Sequence, residues 1–378
     1  MESEELTKEP HSNSPDVPPP GLLQSVDEIT PDWVQQVFKR AVVEVPRVTG
    51  TTNRTIGHGN LSDTVVTRLT YADDALGAPR SVVCKFTSTL PGAALLAANV
   101  GAYLREVMTY RLLGEASPTR IPRVYLAETD SDGRRLNLVM EDLSEFAEPG
   151  DQIAGCRPSD AHAAIAEFAA LHAGFWNDPA IADLEWLFSS RPVSAAASAQ
   201  IFEAGARICA ERFKGRLPAE VFAAVESFAP RVGDWASTPA RRNTLIHREA
   251  RVDNIVFDRR DPSHIRAYVI DWQFTSRGDP QFDVAYFASG SMAPEERRAC
   301  ELSLIASHAA RITEVDPSYG VEEATESYRF YLPSGLVTTL QAVLVLPPGK
   351  HEDLLLMTLL TRNVAALKDW GLVNATGI

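Results

Sequence analysis

Two periods run through the apolar positions of this chain, and they divide it. The first part reads mostly as strands. Arg47–Tyr71 forms two strands joined across Thr55-Ile56-Gly57-His58-Gly59-Asn60-Leu61-Ser62-Asp63, with alternation resuming at Val65, Val66 and Leu69. Ser81–Phe86 is a compact β run, and Ile121–Leu126 pairs with Leu136–Leu143 across a turn at Asp132-Gly133. Two helices accompany these strands. One begins at Ser25 or Asp27 and has an apolar face of Trp33, Val34, Val37 and Phe38; the other covers about Ala93–Leu113. Later in the chain the spacing turns helical. Ser159–Trp176 starts on Pro158-Ser159 and aligns Ile165, Phe168, Leu171 or His172, and Phe175. Ala195–Phe213, Ala219–Phe228, Pro294–Ala310, Val321–Tyr331 and Leu354–Leu367 read the same way, and Ile265–Ile270 interrupts them as a β-rich run.

Strands first and mostly helices afterwards predict an α+β fold with a small β-rich lobe and a large helical lobe. The expected divisions are a disordered tail over residues 1–24, a first lobe over 25–143 and a second over 144–378. The tail is assigned because Met1 to about Pro20 is rich in Glu, Ser and Pro and has little apolar content to order it.

Composition narrows the function. At 378 residues, with 45% apolar and 23% charged positions, the chain is an ordinary globular protein. Its net charge of −14 argues against a nucleic-acid partner bound through bulk positive charge. Cys84, Cys156, Cys209 and Cys300 form no CxxC pair, so reduced thiols are expected rather than a metal cluster or disulfide framework. The acidic N-terminus has no apolar signal region, and runs such as Ala93–Leu104 and Leu336–Leu346 are too short or too broken to span a bilayer. The expectation is a cytoplasmic protein with no membrane span.

The candidate chemistry centres on His247-Arg248-Glu249-Ala250-Arg251-Val252-Asp253-Asn254. A carboxylate precedes an asparagine by five residues, and a second carboxylate, Asp271, closes the β-rich run. This order suits magnesium-dependent phosphoryl transfer, in which one side chain faces the nucleophile and two oxygen ligands hold the metal. Gly57 and Gly59 can bring backbone N–H groups near phosphate oxygens, although two glycines also make an ordinary hairpin turn. Lys85 lies within a strand and Glu106 on the helix that follows. Separately, they read as an edge lysine and a solvated charge; in this order after a glycine turn, they read as a phosphate-gripping pair. His172 sits on an apolar helix face and reads as a hydrogen-bonded core residue.

Taken together, Gly57-His-Gly59, Lys85, Glu106, Met140-Glu-Asp-Leu143, Leu171-His-Ala-Gly-Phe-Trp176, His247–Asn254, Val269-Ile-Asp271-Trp-Gln and Arg277-Gly-Asp-Pro-Gln-Phe-Asp283-Val-Ala-Tyr-Phe287 resemble the aminoglycoside-phosphotransferase and choline-kinase group of protein-kinase-like enzymes. The resemblance covers roughly Thr30 to Leu367 and is closest to the ecdysteroid-kinase-like branch. It implies a protein-kinase-like two-lobed fold, ATP or another NTP and Mg²⁺ as cofactors, and a small-molecule hydroxyl as acceptor.

By position, the resemblance implies that Asn254 and Asp271 hold the metal, and that Lys85, paired with Glu106, holds the α- and β-phosphates. Gly57, Gly59 and Ser62 occupy the G-x-G-x-x-G positions, with serine as the third. Glu141 and Leu143 would meet adenine through their backbones. Glu249 stands where the catalytic Asp accepts the hydroxyl proton, Arg251 places positive charge near the γ-phosphoryl group, and His247 and Asp283 brace the loop.

The family usually reads H-G-D where this chain has His247-Arg248-Glu249. The extra methylene of Glu249 moves the carboxylate by about 1 Å, and misplacement on that scale costs on the order of 10²-fold. Two outcomes follow: a site rebuilt around a longer base, or a pseudokinase that binds nucleotide or ligand without efficient transfer. A third reading is a fold of this kind that binds no nucleotide. Acidic residues (Glu295, Glu296, Glu322, Glu323, Glu326) suit a polycationic acceptor, whereas Phe175, Trp176, Trp186, Phe188 and Tyr331 suit a hydrophobic alcohol.

Overall fold

The computed structural model describes residues 20–58, 61–188 and 194–373. They form two compact units. The first takes the described residues up to Ala147 together with Ile270–Thr275; the second takes Glu148–Val269 and the described residues from Ser276 onward. The expected division after residue 143 made each lobe a continuous segment. The structure differs because Ile270–Thr275, far along the chain, packs into the first unit.

In the first unit, β1 (Val48–His58), β2 (Ser62–Tyr71), β3 (Ser81–Thr87), β4 (Val124–Thr129) and β5 (Leu136–Glu141) make an antiparallel sheet in the order β1-β2-β3-β5-β4. Helix α1 (Pro31–Arg40) starts where Thr30 Oγ1 accepts the Trp33 N–H and Pro31 presets the first turn. Of the expected caps, Ser25 instead precedes a single tight turn, Val26–Glu28, and Asp27 lies within it. Trp33, Val34, Val37 and Phe38 of α1 pack with Val48, Val65, Val82, Cys84, Phe86, Tyr125 and Val139 in one core. Each such side chain contributes about 1.5–3 kcal/mol by leaving water. Because strand side chains alternate, committing Val82, Cys84 and Phe86 to this core puts Lys85 on the other face of β3.

Two further expectations in this unit are corrected. The helix expected over Ala93–Leu113 is two helices, α2 (Pro91–Asn99) and α3 (Ala102–Leu113), separated at Gly101, whose φ of 68° is left-handed. The end of the expected tail is also tied down. Buried Asn137 gives its Nδ2 proton to the Leu23 carbonyl and accepts the Leu23 N–H, while Trp33 Nε1 donates to the Gly21 carbonyl. Residues 1–19 lie outside the described residues.

The second unit contains the helices α4 (Pro158–Gly174), α5 (Pro179–Ala182), α6 (Ala195–Arg212), α7 (Ala219–Phe228), α8 (Val232–Ser237), α9 (Gln281–Ser291), α10 (Pro294–Thr313), α11 (Val321–Tyr331), α12 (Pro333–Val345) and α13 (Lys350–Asp369). Two small antiparallel sheets accompany them. One is β6 (Glu148–Pro149), β8 (Ile255–Asp258) and β9 (Arg266–Val269); the other pairs β7 (Thr244–Ile246) with β10 (Ser276–Gly278). Every residue of α9 is buried, and α4, α10, α11, α12 and α13 pack around it. Helices α9 and α12 were not anticipated. An α9 buried on all sides has no polar stripe, so the helical period never shows in its sequence.

The four cysteines are free and buried, and burial pushes the Cys84 and Cys156 thiols up to about 12, leaving them protonated and inert. Among the described residues, no helix is long and apolar enough to cross a membrane.

At Gly205, α6 lies close against α12: an added Cβ would lie 2.5 Å from the Leu340 carbonyl oxygen. Gly205→Ala is expected to destabilise the protein by about 1–3 kcal/mol, read as a lower melting temperature. An unchanged melting temperature would mean that the crossing yields freely.

Candidate active site

In the first unit, Lys85 is the electrostatic centre. Its Nζ donates to Glu106 Oε1 at 2.7 Å and to Asp271 Oδ1 at 2.8 Å. Burial opposes the ammonium, but the Asp271 and Glu106 carboxylates outweigh it and hold Lys85 above the ordinary lysine range. Glu106 reaches the lysine from the buried side of α3, whose Tyr103, one turn earlier, shares that side. Tyr103 donates its hydroxyl proton to the Leu61 carbonyl at 2.5 Å and accepts the Ser88 N–H. This ties α3 to the start of β2, next to Ser62. Asp271 has a left-handed φ of 67° and accepts a proton from Gln273 Nε2 on its Oδ2.

Gly57 lies near the end of β1 and buried Ser62 begins β2; Gly59 lies outside the described residues. Glu141 ends β5 and donates its N–H to the Arg123 carbonyl. The carbonyl of buried Leu143 accepts the N–H groups of Phe146 and Ala147.

In the second unit, β7 delivers the chain into the His247–Asn254 segment, and buried Asp283 of α9 anchors it. Its carboxylate accepts the His247 N–H on Oδ2 at 2.7 Å and the Arg248 N–H on Oδ1 at 2.8 Å. Arg248 adopts φ 69°, a conformation that suits glycine, and its guanidinium lies over the Phe282 ring. The segment then closes on itself. Glu249 N–H donates to His247 Nδ1, and the Glu249 carbonyl accepts both the Arg251 N–H and the Asn254 Nδ2 proton. The last bond fixes the amide orientation of Asn254, so that its Oδ1 is the end able to serve as a ligand. Downstream, Val252 N–H donates to Gln152 Oε1 and Ser291 Oγ, each at 3.1 Å. At Gly150 an added Cβ would lie 2.1 Å from the Val252 carbonyl oxygen, so only glycine fits there.

The structure therefore brings Lys85, Glu106 and Asp271 together within one unit, and Glu249, Arg251 and Asn254 within the other. Sequence reasoning missed Tyr103, Gly150 and Gln152. Tyr103 had a weak signal, its helical spacing from Glu106; Gly150 and Gln152 had none. His172 is fully buried, with its ring hydrogen-bonded to His308 and Asp283. The acidic residues offered for a polycationic acceptor are largely engaged elsewhere: Glu323 pairs with Arg242, Glu326 with Arg241 and Glu295 with Arg298. The aromatics also disperse. Trp176 donates to Asp316 and packs on Tyr319, while Tyr331 packs on Phe282 and Phe330.

Residues 58–310 match the family model described as the phosphotransferase enzyme family (APH). No curated protein matches the sequence. Among solved structures, choline kinase from Cryptosporidium parvum Iowa II is similar, with 12% identity over 85% of this chain and 91% of that one and a TM-score of 0.53. Plasmodium vivax ethanolamine kinase is similar too, with 11% identity, 87% and 86% coverage and a TM-score of 0.52. At these identities the likeness concerns the fold, which is protein-kinase-like, with a β-sheet N-terminal region and a helical C-terminal region.

Asp279 gives the second unit a pH signature. Burial pushes its carboxyl up to about 6, against the opposing hydrogen bonds from Ser327 Oγ and the Gln281 N–H. A raised folded pKa means that the protonated form is favoured on folding. The associated stability is fully present below the unfolded value of about 3.8 and is lost as pH rises through about 6. Asp279→Asn keeps an oxygen acceptor and removes the ionisation. Its stability relative to the parent is expected to rise between about pH 4 and pH 6, by on the order of 3 kcal/mol, and then level off. A stability difference that stays flat across this range in pH-dependent denaturation would contradict the assignment.

Proposed function

Because this chain belongs to the phosphotransferase enzyme family, we propose that it transfers the γ-phosphoryl group of ATP or another NTP to a hydroxyl of a small organic molecule, with Mg²⁺ as cofactor. The observation that carries this reading is Lys85: a buried ammonium that stays charged because Asp271 and Glu106 both hold it. A permanent point charge of this kind suits the α- and β-phosphates of a nucleotide. Backbone groups at Gly57, Gly59 and Ser62 would add to the phosphate cradle. With the Glu141 N–H and the Leu143 carbonyl already committed, the Glu141 carbonyl and the Leu143 N–H are the groups assigned to adenine.

Asn254 Oδ1 and the Asp271 carboxylate are hard oxygen donors, the type that Mg²⁺ takes, and they are the assigned metal ligands. When bound, Mg²⁺ neutralises phosphate charge. Glu249 is assigned to accept the proton from the acceptor hydroxyl, and Arg251 to place positive charge where the transferring group becomes more negative.

A second reading has its own observation. At positions 248 and 249 the chain has a side-chain-bearing residue at left-handed φ, which costs about 1–2 kcal/mol, followed by a carboxylate one methylene longer than Asp. These features favour a pseudokinase that binds nucleotide or another ligand without efficient transfer.

Glu249→Asp separates the two readings. A large gain in ATPase or phosphotransfer rate shows intact machinery with a displaced base; no gain, with Mg·ATP still bound, supports the regulatory reading. If the purified protein binds neither Mg·ATP nor another Mg·NTP at millimolar nucleotide, the phosphotransfer reading fails. Lys85→Met is expected to weaken Mg·ATP binding measured by calorimetry. It should also cost about 3–5 kcal/mol of stability, because Glu106 stays buried without its ammonium. Unchanged nucleotide affinity in Lys85→Met would remove the lysine from the phosphate site.

A further inference from the structure

The carboxylate that anchors the His247–Asn254 loop is the end of a longer buried chain. His172 Nε2 lies 3.1 Å from Asp283 Oδ2, and His172 Nδ1 lies 2.8 Å from His308 Nε2. His308 Nδ1 lies 3.0 Å from Gln281 Nε2, which also donates to the Tyr319 hydroxyl at 3.2 Å. Asp283, His172, His308 and Gln281 are 0% exposed, out of reach of bulk solvent.

The placement of the Gln281 amide sets the direction of the chain. Its Nε2 faces His308 and only donates, so His308 Nδ1 accepts from it, while the buried Gln281 Oε1 is left without a hydrogen-bond partner. The His308 proton then sits on Nε2 and is donated to His172 Nδ1. His172 in turn carries its proton on Nε2 and donates it to Asp283, whose two oxygens also accept the His247 and Arg248 N–H groups. Both rings are neutral and both are Nε2–H tautomers. Burial above all holds His308 well below the ordinary histidine range, in agreement with a neutral ring there.

We propose that His308 and Gln281 are positioning residues. They fix His172 as the Nε2–H tautomer, and so keep Asp283 aligned on the backbone of the loop that carries Glu249 and Asn254. His308 lies on α10 and Gln281 opens α9, so neither belongs to the loop. A ring donating the wrong way would face Asp283 with a lone pair and release the His247 and Arg248 amides. The functional consequence rests on reading 247–254 as the catalytic loop; the tautomer assignment does not.

The ring states can be read directly by ¹⁵N spectroscopy of the full chain labelled at histidine, at neutral pH. The expected result is two neutral rings with Nε2 protonated at both His172 and His308. An imidazolium or an Nδ1–H tautomer at His172 overturns the proposal, whether or not the protein transfers phosphate.

The second test is kinetic. His308→Leu removes the donor, and kcat is expected to fall roughly ten- to hundredfold, as for other orienting partners, with KM for the nucleotide unchanged. His308→Gln keeps a donor near the Nε2 position and should restore most of the rate. Equal losses in the two variants, or a KM that rises in step, would show a merely structural histidine. Amide hydrogen exchange at His247 and Arg248 should quicken in His308→Leu and stay slow in His308→Gln. Equal exchange in both variants counts against the proposal independently of activity.

Discussion

A carboxylate with no access to water must find all of its partners inside the protein, and Asp283 does. Two consecutive backbone N–H groups and one imidazole converge on its two oxygens. An uncompensated charge in that position would cost several kcal/mol, so the backbone at 247–248 is constrained to present both amides together. Consecutive amides aimed at one anion require alternating backbone hand, and Arg248 accordingly sits at φ 69° despite its side chain. That conformation turns the chain so that the Glu249 carbonyl can gather the Arg251 amide and the Asn254 side chain. The oxygen assigned to the metal is therefore oriented by an anion that would not touch it.

The first unit solves the inverse problem, a buried cation. Strand alternation sends Val82, Cys84 and Phe86 into an apolar core and leaves Lys85 on the opposite face, where Glu106 and Asp271 meet it. The two carboxylates together carry one more negative charge than the lysine carries positive. A site with that surplus is suited to a metal cation, consistent with the proposed role of Asp271.

Features with a local period or a polar–apolar contrast were legible from sequence. The apolar face of α1, the alternation around Lys85 and the placement of Glu106 on the following helix all carried such signals. Features defined by three-dimensional burial were hidden. Helix α9 has no exposed side, so Asp283 and Gln281 were visible as residues but not as parts of a helix. The break at Gly101 was masked by apolar residues on both sides of it. Tyr103, Gly150 and Gln152 act through backbone atoms of distant segments, and such contacts leave no local signature. Glu249 showed the converse: the substitution stood out in sequence, whereas the geometric strain next to it, at Arg248, emerged only from the backbone angles.

The return of Ile270–Thr275 to the first unit has a consequence for synthesis. As the chain leaves the ribosome, β1 to β5 and α1 to α3 are complete once Ala147 has emerged, and Lys85 can already pair with Glu106. Asp271 emerges only after the whole intervening stretch has been translated, on the order of ten seconds later at ordinary elongation rates. Until then the nascent first unit holds an ion pair but lacks the second carboxylate. A ribosome pause or truncation in that interval would yield a complete five-stranded sheet without Asp271, so the cluster of charges around Lys85 is finished only late in translation.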